Sequence, residues 1–278
     1  MARIASLNVL LTTSGKDYLA EQYGAVVENI SKNTISSALK NMDLSGTPGA
    51  GTYEAKRFVN RTSNAYGTAR SGGKGQAVKA SAVVVSVDTD KELITEVEAK
   101  DVTLYGVDNF IERQSAMDEK SMARELERAF FDTANTAATS LTFGEGLTIV
   151  QKAEKAIQAV ETVQNNYVDG VERDMISLVC SPSFYGELRT YMDDVEGDGR
   201  SEGFGMFHGV RVYSSVYLPA GVNVIAMADG AVAQPVLPTV AEPERIQLSN
   251  AIAFGLFYSY GTKAVSPDLI FSDNQNAH

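Results

Sequence analysis

TYEAKRFVNRTSNAYGTARSGGKGQAVKASA, residues 52–82, is a basic, glycine-punctuated stretch in an otherwise acidic chain. It holds six bases, Lys56, Arg57, Arg61, Arg70, Lys74 and Lys79, and one acid, Glu54, for a net charge of +5. The 278-residue chain carries −11, so everything outside this stretch carries −16. Residues 53–60 and 76–87 have strand character, the second strongly so through its run of valines. Between them Gly67, Gly72, Gly73 and Gly75 loosen the tip. The pattern predicts a long β-hairpin. A two-stranded ribbon of that length is marginal alone and needs a surface to lie on.

Beyond this stretch, residues 89–104 are acidic and read as extended or turn-like. Residues 107–138 contain no Gly or Pro and repeat Phe110, Ile111, Met122, Leu126, Phe130 and Ala134 on one stripe. They predict one helix on the order of 45 Å long. Upstream, 15–42 predicts a helix with Ser14 as N-cap and an interruption near Asn33, Thr34 and Ile35, ended by the breaker run 45–51. Downstream, the pattern predicts a helix over 148–167 and a buried strand over 175–180. A helix opened by Ser181 and Pro182 follows, to about residue 192, then an acidic loop over 193–204. Strands are expected at 210–214, 222–228, 245–249 and 251–265. Five of the seven prolines lie beyond residue 218, consistent with strands broken by turns. The order implies an α+β protein.

Composition excludes several classes. No apolar run approaches the ~20 residues that span a bilayer, and the N-terminus lacks a secretory pattern. The chain is expected to be soluble and cytosolic, with no membrane partner. Its one cysteine, Cys180, sits in an apolar run and reads as a buried, inert thiol. With only His208 and the terminal His278, a histidine metal site or a Ser–His–Asp triad would rest on His208 alone. The arm tip fails as a phosphate loop: Thr68 stands where the first Gly belongs, and Gly75 stands where Ser or Thr must follow the Lys. Asp194, Glu196, Asp198 and Glu202 are spaced like the start of a calcium loop. Gly205 stands where the bidentate Glu is needed, which favours a solvated acidic loop. No catalytic constellation, cofactor site or metal site is expected.

The arm can therefore grip nucleic acid or another copy of the chain. Tyr53, Phe58 and Tyr66 between the bases suit stacking on single strands, but the −16 body repels a polyanion and attracts a basic arm. Self-association is the favoured reading. The bases of the arm are its contacts, and Glu112, Asp118, Glu119, Glu125 and Glu127 on the long helix are the expected acceptor face.

In this order of parts the chain resembles the major capsid proteins of tailed bacteriophages, with the Hong Kong ninety-seven type of shell fold. The resemblance rests on the arm, on EVEAKDVTLYGVD (96–108) leading into the long helix, and on VCSP (179–182). It rests also on FHGVRVYSS (207–215) with Leu218 and Pro219, on ADGAV (228–232) and on YGTKAVSP (260–267). It implies an N-terminal arm over 1–47 and an extended hairpin, the E-loop, over 48–95. It implies a peripheral domain over 96–147 and 235–278 with its spine helix at 107–138, and an axial domain over 148–234. The implied role is a non-enzymatic building block of an icosahedral head, assembled as pentamers and hexamers in the host cytoplasm and found in the virion. A separate scaffolding protein and a portal are implied partners, and the shell encloses double-stranded DNA without sequence-specific binding. An acidic inner wall would let that DNA slide. Some members cross-link an E-loop Lys to a neighbour's Asn, but only the lysines, Lys74 and Lys79, are matched here. An encapsulin-type nanocompartment shell is the alternative, and a nucleic-acid-binding protein with a basic arm is a more distant one.

Overall fold

A computed structural model describes residues 6–47, 51–68, 72, 77–102, 106–195 and 205–273. Its contacts gather into two units. One comprises Met1–Ala38, Val87–Glu127 and Pro235–Gly261, and the other Leu39–Ser86, Arg128–Gln234 and Thr262–His278.

The first unit begins with a 3-10 turn, Leu7–Leu11, and helix α1, Thr13–Asn33. Leu19, Tyr23, Val26 and Ile30 recur at helical spacing and are buried. The N-cap position is Thr12, whose hydroxyl donates back to the Val9 carbonyl at 2.6 Å. The expected cap, Ser14, lies inside the helix. The helix can start so early because residue 15 is Gly: a Cβ there would lie 2.1 Å from the Val9 oxygen. At Thr34 the backbone turns extended, and the short helix α2, Ile35–Leu39, follows. The expected single helix 15–42 is thus two, broken where Asn33–Thr34–Ile35 suggested.

The acidic stretch after the arm forms strand β4, Thr89–Val97, paired antiparallel along its whole length with β12, Ile252–Tyr260. Strand β11, Val236–Arg245, completes this three-stranded sheet in the order β11-β12-β4. The expected strand 245–249 is instead the turn after β11, with Ile246 donating to the Ala251 carbonyl at 3.0 Å. β11 contains Pro238 and Pro243. Both are tolerated because β11 is an edge strand, and Pro243 falls in the register shift between Ala241 and Glu244. A short helix, α3, Ala99–Val102, precedes the long helix α4, Val107–Ala137, of 31 residues.

In the second unit, β1, Leu44–Thr47, β2, Thr52–Phe58, and β3, Ala80–Ser86, form an antiparallel sheet. The breaker run expected at 45–51 therefore contains a strand. Ala55 and Val85 on one face pack with Ala233 and Val265, flanked by Leu44 and Val83. A six-stranded sheet has the order β5-β14-β9-β6-β8-β7. Its strands are β5 (Thr139–Ser140), β6 (Ile176–Cys180), β7 (Met206–Phe207), β8 (Val210–Ser214), β9 (Val224–Ala228) and β14 (Ile270–Ser272). Every residue of β6 and β9 is buried, which explains their unbroken apolar runs. Strands β10, Val232–Ala233, and β13, Lys263–Ala264, pair separately, so the expected strand 251–265 is two strands split at Gly261–Thr262.

Helix α5, Ile149–Glu161, carries a reciprocal capping box between Thr148 and Gln151. It stops at Glu161, short of the expected residue 167, because a turn closes there with Gly170 at φ 83° donating to Val163. Helix α6, Pro182–Val195, starts as expected, the Ser181 hydroxyl accepting from Phe184 N at 3.4 Å. Burial pushes the Cys180 thiol far above its usual pKa. Residues 193–195 end α6. The rest of the acidic loop lies outside the described residues, as do Arg70 and Lys74.

Candidate inter-subunit interface

Strand alternation divides the arm into two faces. Tyr53, Ala55 and Arg57 point one way, while Thr52, Glu54, Lys56 and Phe58 point the other and are exposed. On β3, Val83 and Val85 share the inner face, and Ala80, Ala82, Val84 and Ser86 the outer. Arg57 therefore faces the chain's own body. Its guanidinium donates to Asp268 Oδ2 at 2.6 Å and lies 4.3 Å from the centre of the Tyr167 ring. Asn165 also donates to Asp268 and fixes the 165–168 turn by accepting from Tyr167 N at 2.7 Å and Val168 N at 3.0 Å. Burial would raise the Asp268 pKa, but the Arg57 hydrogen bond and charge hold it below the usual range.

Two backbone bonds and one from a lysine side chain finish the root. Asn60 N donates to the Asn166 carbonyl at 2.9 Å, Val59 N to Lys79 at 2.9 Å, and Lys263 Nζ to Val84 at 2.9 Å. Among the described arm bases, Lys56, Arg61 and Lys79 are exposed. So are Phe58, Tyr66, Val78 and Val84, with Tyr66 94% accessible. Arg57 leaves the expected neighbour-contacting set and becomes part of the arm's root. Alternation from Ala55 would have revealed this in the sequence; the charge count did not.

The expected acceptor face on α4 also changes. Asp118 is buried, accepting from the Tyr23 hydroxyl at 3.0 Å and from Gln114 at 3.1 Å, and burial pushes its pKa up. Glu127 is buried and accepts from Ile35 N at 2.6 Å, capping α2, and burial raises its pKa too. Glu125 accepts from Tyr258 at 2.9 Å, Tyr260 at 3.2 Å and Lys91 at 3.0 Å. Burial opposes its charge, but these bonds hold its pKa below the usual range. Glu119 accepts from Asn29 at 3.1 Å, and Glu112 alone of the five is exposed. Four of the five expected acceptor acids, Asp118, Glu119, Glu125 and Glu127, thus have partners within the first unit. By contrast all four bases of α4, Arg113, Lys120, Arg124 and Arg128, are exposed.

Exposed acids appear on β4 instead. Its inner face meets α4 through the tyrosines that reach Glu125 from β12. Asp90, Glu92 and Glu96 point to the open face with Ile94, 37% exposed, and Phe257, 45% exposed. That face pairs acids with apolar side chains, while the exposed arm bases Lys56, Arg61 and Lys79 stand among the exposed apolar Phe58, Tyr66, Val78 and Val84.

His208 contacts Glu154 through Nδ1 at 3.0 Å, beside Arg173, which bridges Glu154 and Glu161 at 2.5 and 2.6 Å. This is an ion cluster joining α5 to the 3-10 turn Arg173–Met175. Among the described residues no group of His, Cys, Asp and Glu could hold a metal ion, and no helix is long and apolar enough to cross a membrane.

No protein-family model matches the chain, and no curated protein matches it by sequence. Solved structures do match. A chain from Mycobacterium phage Che8 is 17% identical, with a TM-score of 0.56 over 80% of this chain and 84% of its own. The capsid structure of cyanophage P-SCSP1u gives 12% identity and a TM-score of 0.61, covering 86% and 87%. The virus-like particle from Pyrococcus furiosus gives 11% identity and a TM-score of 0.59, covering 92% and 99%. At these identities the likeness is one of fold, and the α+β chain described above, with its hairpin arm and long helix, has the phage-capsid shell fold.

Proposed function

We propose that this chain is a major capsid protein that self-assembles, as pentamers and hexamers, into an icosahedral head shell around double-stranded DNA. The carrying observation is the arm. Its root is fixed to its own body by Arg57, Asp268 and Asn60, while its outer face offers Lys56, Phe58 and Val84, and Lys79 is exposed just before β3. A ribbon held at one end with an amphipathic outer face is suited to lie on another copy. The acceptor in this reading is the open face of β4 and β12, where Asp90, Glu92 and Glu96 complement the arm's charge around Ile94 and Phe257. The long helix belongs to a peripheral domain (96–147 and 235–278), together with strands β5 and β14, and strands β6 to β9 to an axial domain (148–234), after an N-terminal arm (1–47) and an E-loop (48–95).

The protein works without catalysis, is assembled in the host cytoplasm with a separate scaffolding protein and a portal, and resides in the virion. The second reading is an encapsulin-type shell around protein cargo, and the fold is shared with the chain of the virus-like particle from Pyrococcus furiosus. Deletion of residues 60–76 tests the arm. Shell formation should be lost while the subunit keeps its far-ultraviolet circular dichroism, whereas a nucleic-acid-binding arm would lose only DNA affinity.

A further inference from the structure

Helix α4 sorts its charges by sign. Its seven acids include two buried and three half-buried residues, whereas all four of its bases are exposed. Arg113, Lys120 and Arg124 stand seven and four residues apart, intervals that return to one helical face. Met117 lies among them, and the exposed acids Glu112 and Asp132 fall to the flanks of that face. The row runs about 16 Å along the axis. In a chain of net −11, a solvated face would be expected to mix both signs. The same unit presents Asp90, Glu92 and Glu96 on the sheet face turned away from α4. Its two exposed faces are therefore opposite in charge.

We propose that the Arg113–Lys120–Arg124 row binds the phosphate backbone of duplex DNA, and that this face of the helix is turned toward the enclosed genome. The inference rests on the shell reading above and replaces, for this face, the expected acidic inner wall. Duplex DNA presents one negative charge per ~1.7 Å of its axis, so a straight row of cations meets phosphates at any register. Such contacts carry no sequence information. Each subunit binds weakly, in the ~10⁻⁴–10⁻⁶ M range of non-specific association, and many copies act together.

The test titrates purified full-length protein against a short fluorescein-labelled duplex of mixed sequence, read by anisotropy between about 50 and 200 mM salt. Negative-stain images of the same samples report particle formation. Lys120→Gln with Arg124→Gln keeps good helix formers at exposed positions, so the fold is preserved. Wild type should bind with a salt-dependent affinity. The double variant should bind about tenfold more weakly at low salt, with its log–log salt slope smaller by about 2. Absence of salt-dependent binding by wild type, or an equal slope in the helix variant, overturns the proposal. So does a helix variant that binds DNA normally but forms no particles, because the row then contacts an acidic protein surface. If wild type forms no particles at all, the shell reading falls, and the titration still decides whether the helix binds DNA.

Discussion

Arg57 shows how one side chain changes the meaning of a charged stretch. Six bases in one arm read as a single patch, yet this one turns inward because Ala55, two residues earlier, is buried in the core beneath the sheet. Its bond to Asp268 is largely shielded, the two side chains being 16% and 29% exposed. Hydrogen bonds to charged groups contribute ~1.5–3 kcal/mol. Arg57→Ala should lower unfolding stability by about that amount, and a cycle with Asp268→Asn should show coupling of about 1 kcal/mol or more. Purely additive effects in chemical denaturation would break the account of the root. Because the folded Asp268 pKa is lowered, this contribution is present above the ordinary Asp value of ~3.9 and is lost as pH falls through the folded value. Glu127 behaves oppositely. Its folded pKa is raised, so the folded state favours the protonated acid, and stability is given up as pH rises above the ordinary Glu value of ~4.3. Glu127→Gln keeps an acceptor for Ile35 N without the buried charge. It should be neutral or stabilising at pH 7 and flatten the pH dependence, whereas Glu127→Ala should cost about 1–3 kcal/mol. Equal losses in both variants, measured by thermal melts, would contradict this assignment.

At the scale of elements, what was legible followed local physics. The long helix appears at 107–138 in sequence and at Val107–Ala137 in structure, because an unbroken stripe from Ile111 to Ala134 leaves no alternative period. The start of α6 was legible in Ser181–Pro182. Strand β11 was not, because its prolines signal a turn unless the strand's edge position is known, and edges are tertiary facts. Strand β4 read only as an acidic extended segment, since its partner, β12, lies more than 150 residues away. The acids of α4 misled for a related reason. Asp118 and Glu127 are satisfied by Tyr23 and by the α2 backbone, partners no local pattern reveals. Within the three-stranded sheet, Gly255 is the tightest point: a Cβ there would lie 2.0 Å from the Leu93 oxygen. Gly255→Ala should therefore force β4 and β12 apart, costing about 3 kcal/mol, the upper end of ordinary overpacking. A melting temperature within a degree or two of wild type would show that the strands yield freely.

For the whole molecule, the proposed assembly rests on a rooted arm, an open sheet face with exposed acids and a charge-sorted helix. The family resemblance came from the order of parts along the chain, and the fold carries that order. Lys56, Arg61 and Lys79 are exposed, Arg57 is engaged at the root, and the acceptor we propose is β4 in place of α4. Arg61→Glu with Lys79→Glu should abolish or deform assembly while leaving subunit stability within ~0.5 kcal/mol, since exposed substitutions are otherwise nearly neutral. Normal, stable shells from that variant would mean the arm's charge does not hold it down. The most direct test of the central claim is negative-stain electron microscopy of the purified wild-type protein, with and without a co-expressed scaffolding protein. Uniform closed shells are the predicted result, and a population of only monomers and small oligomers under both conditions would contradict it.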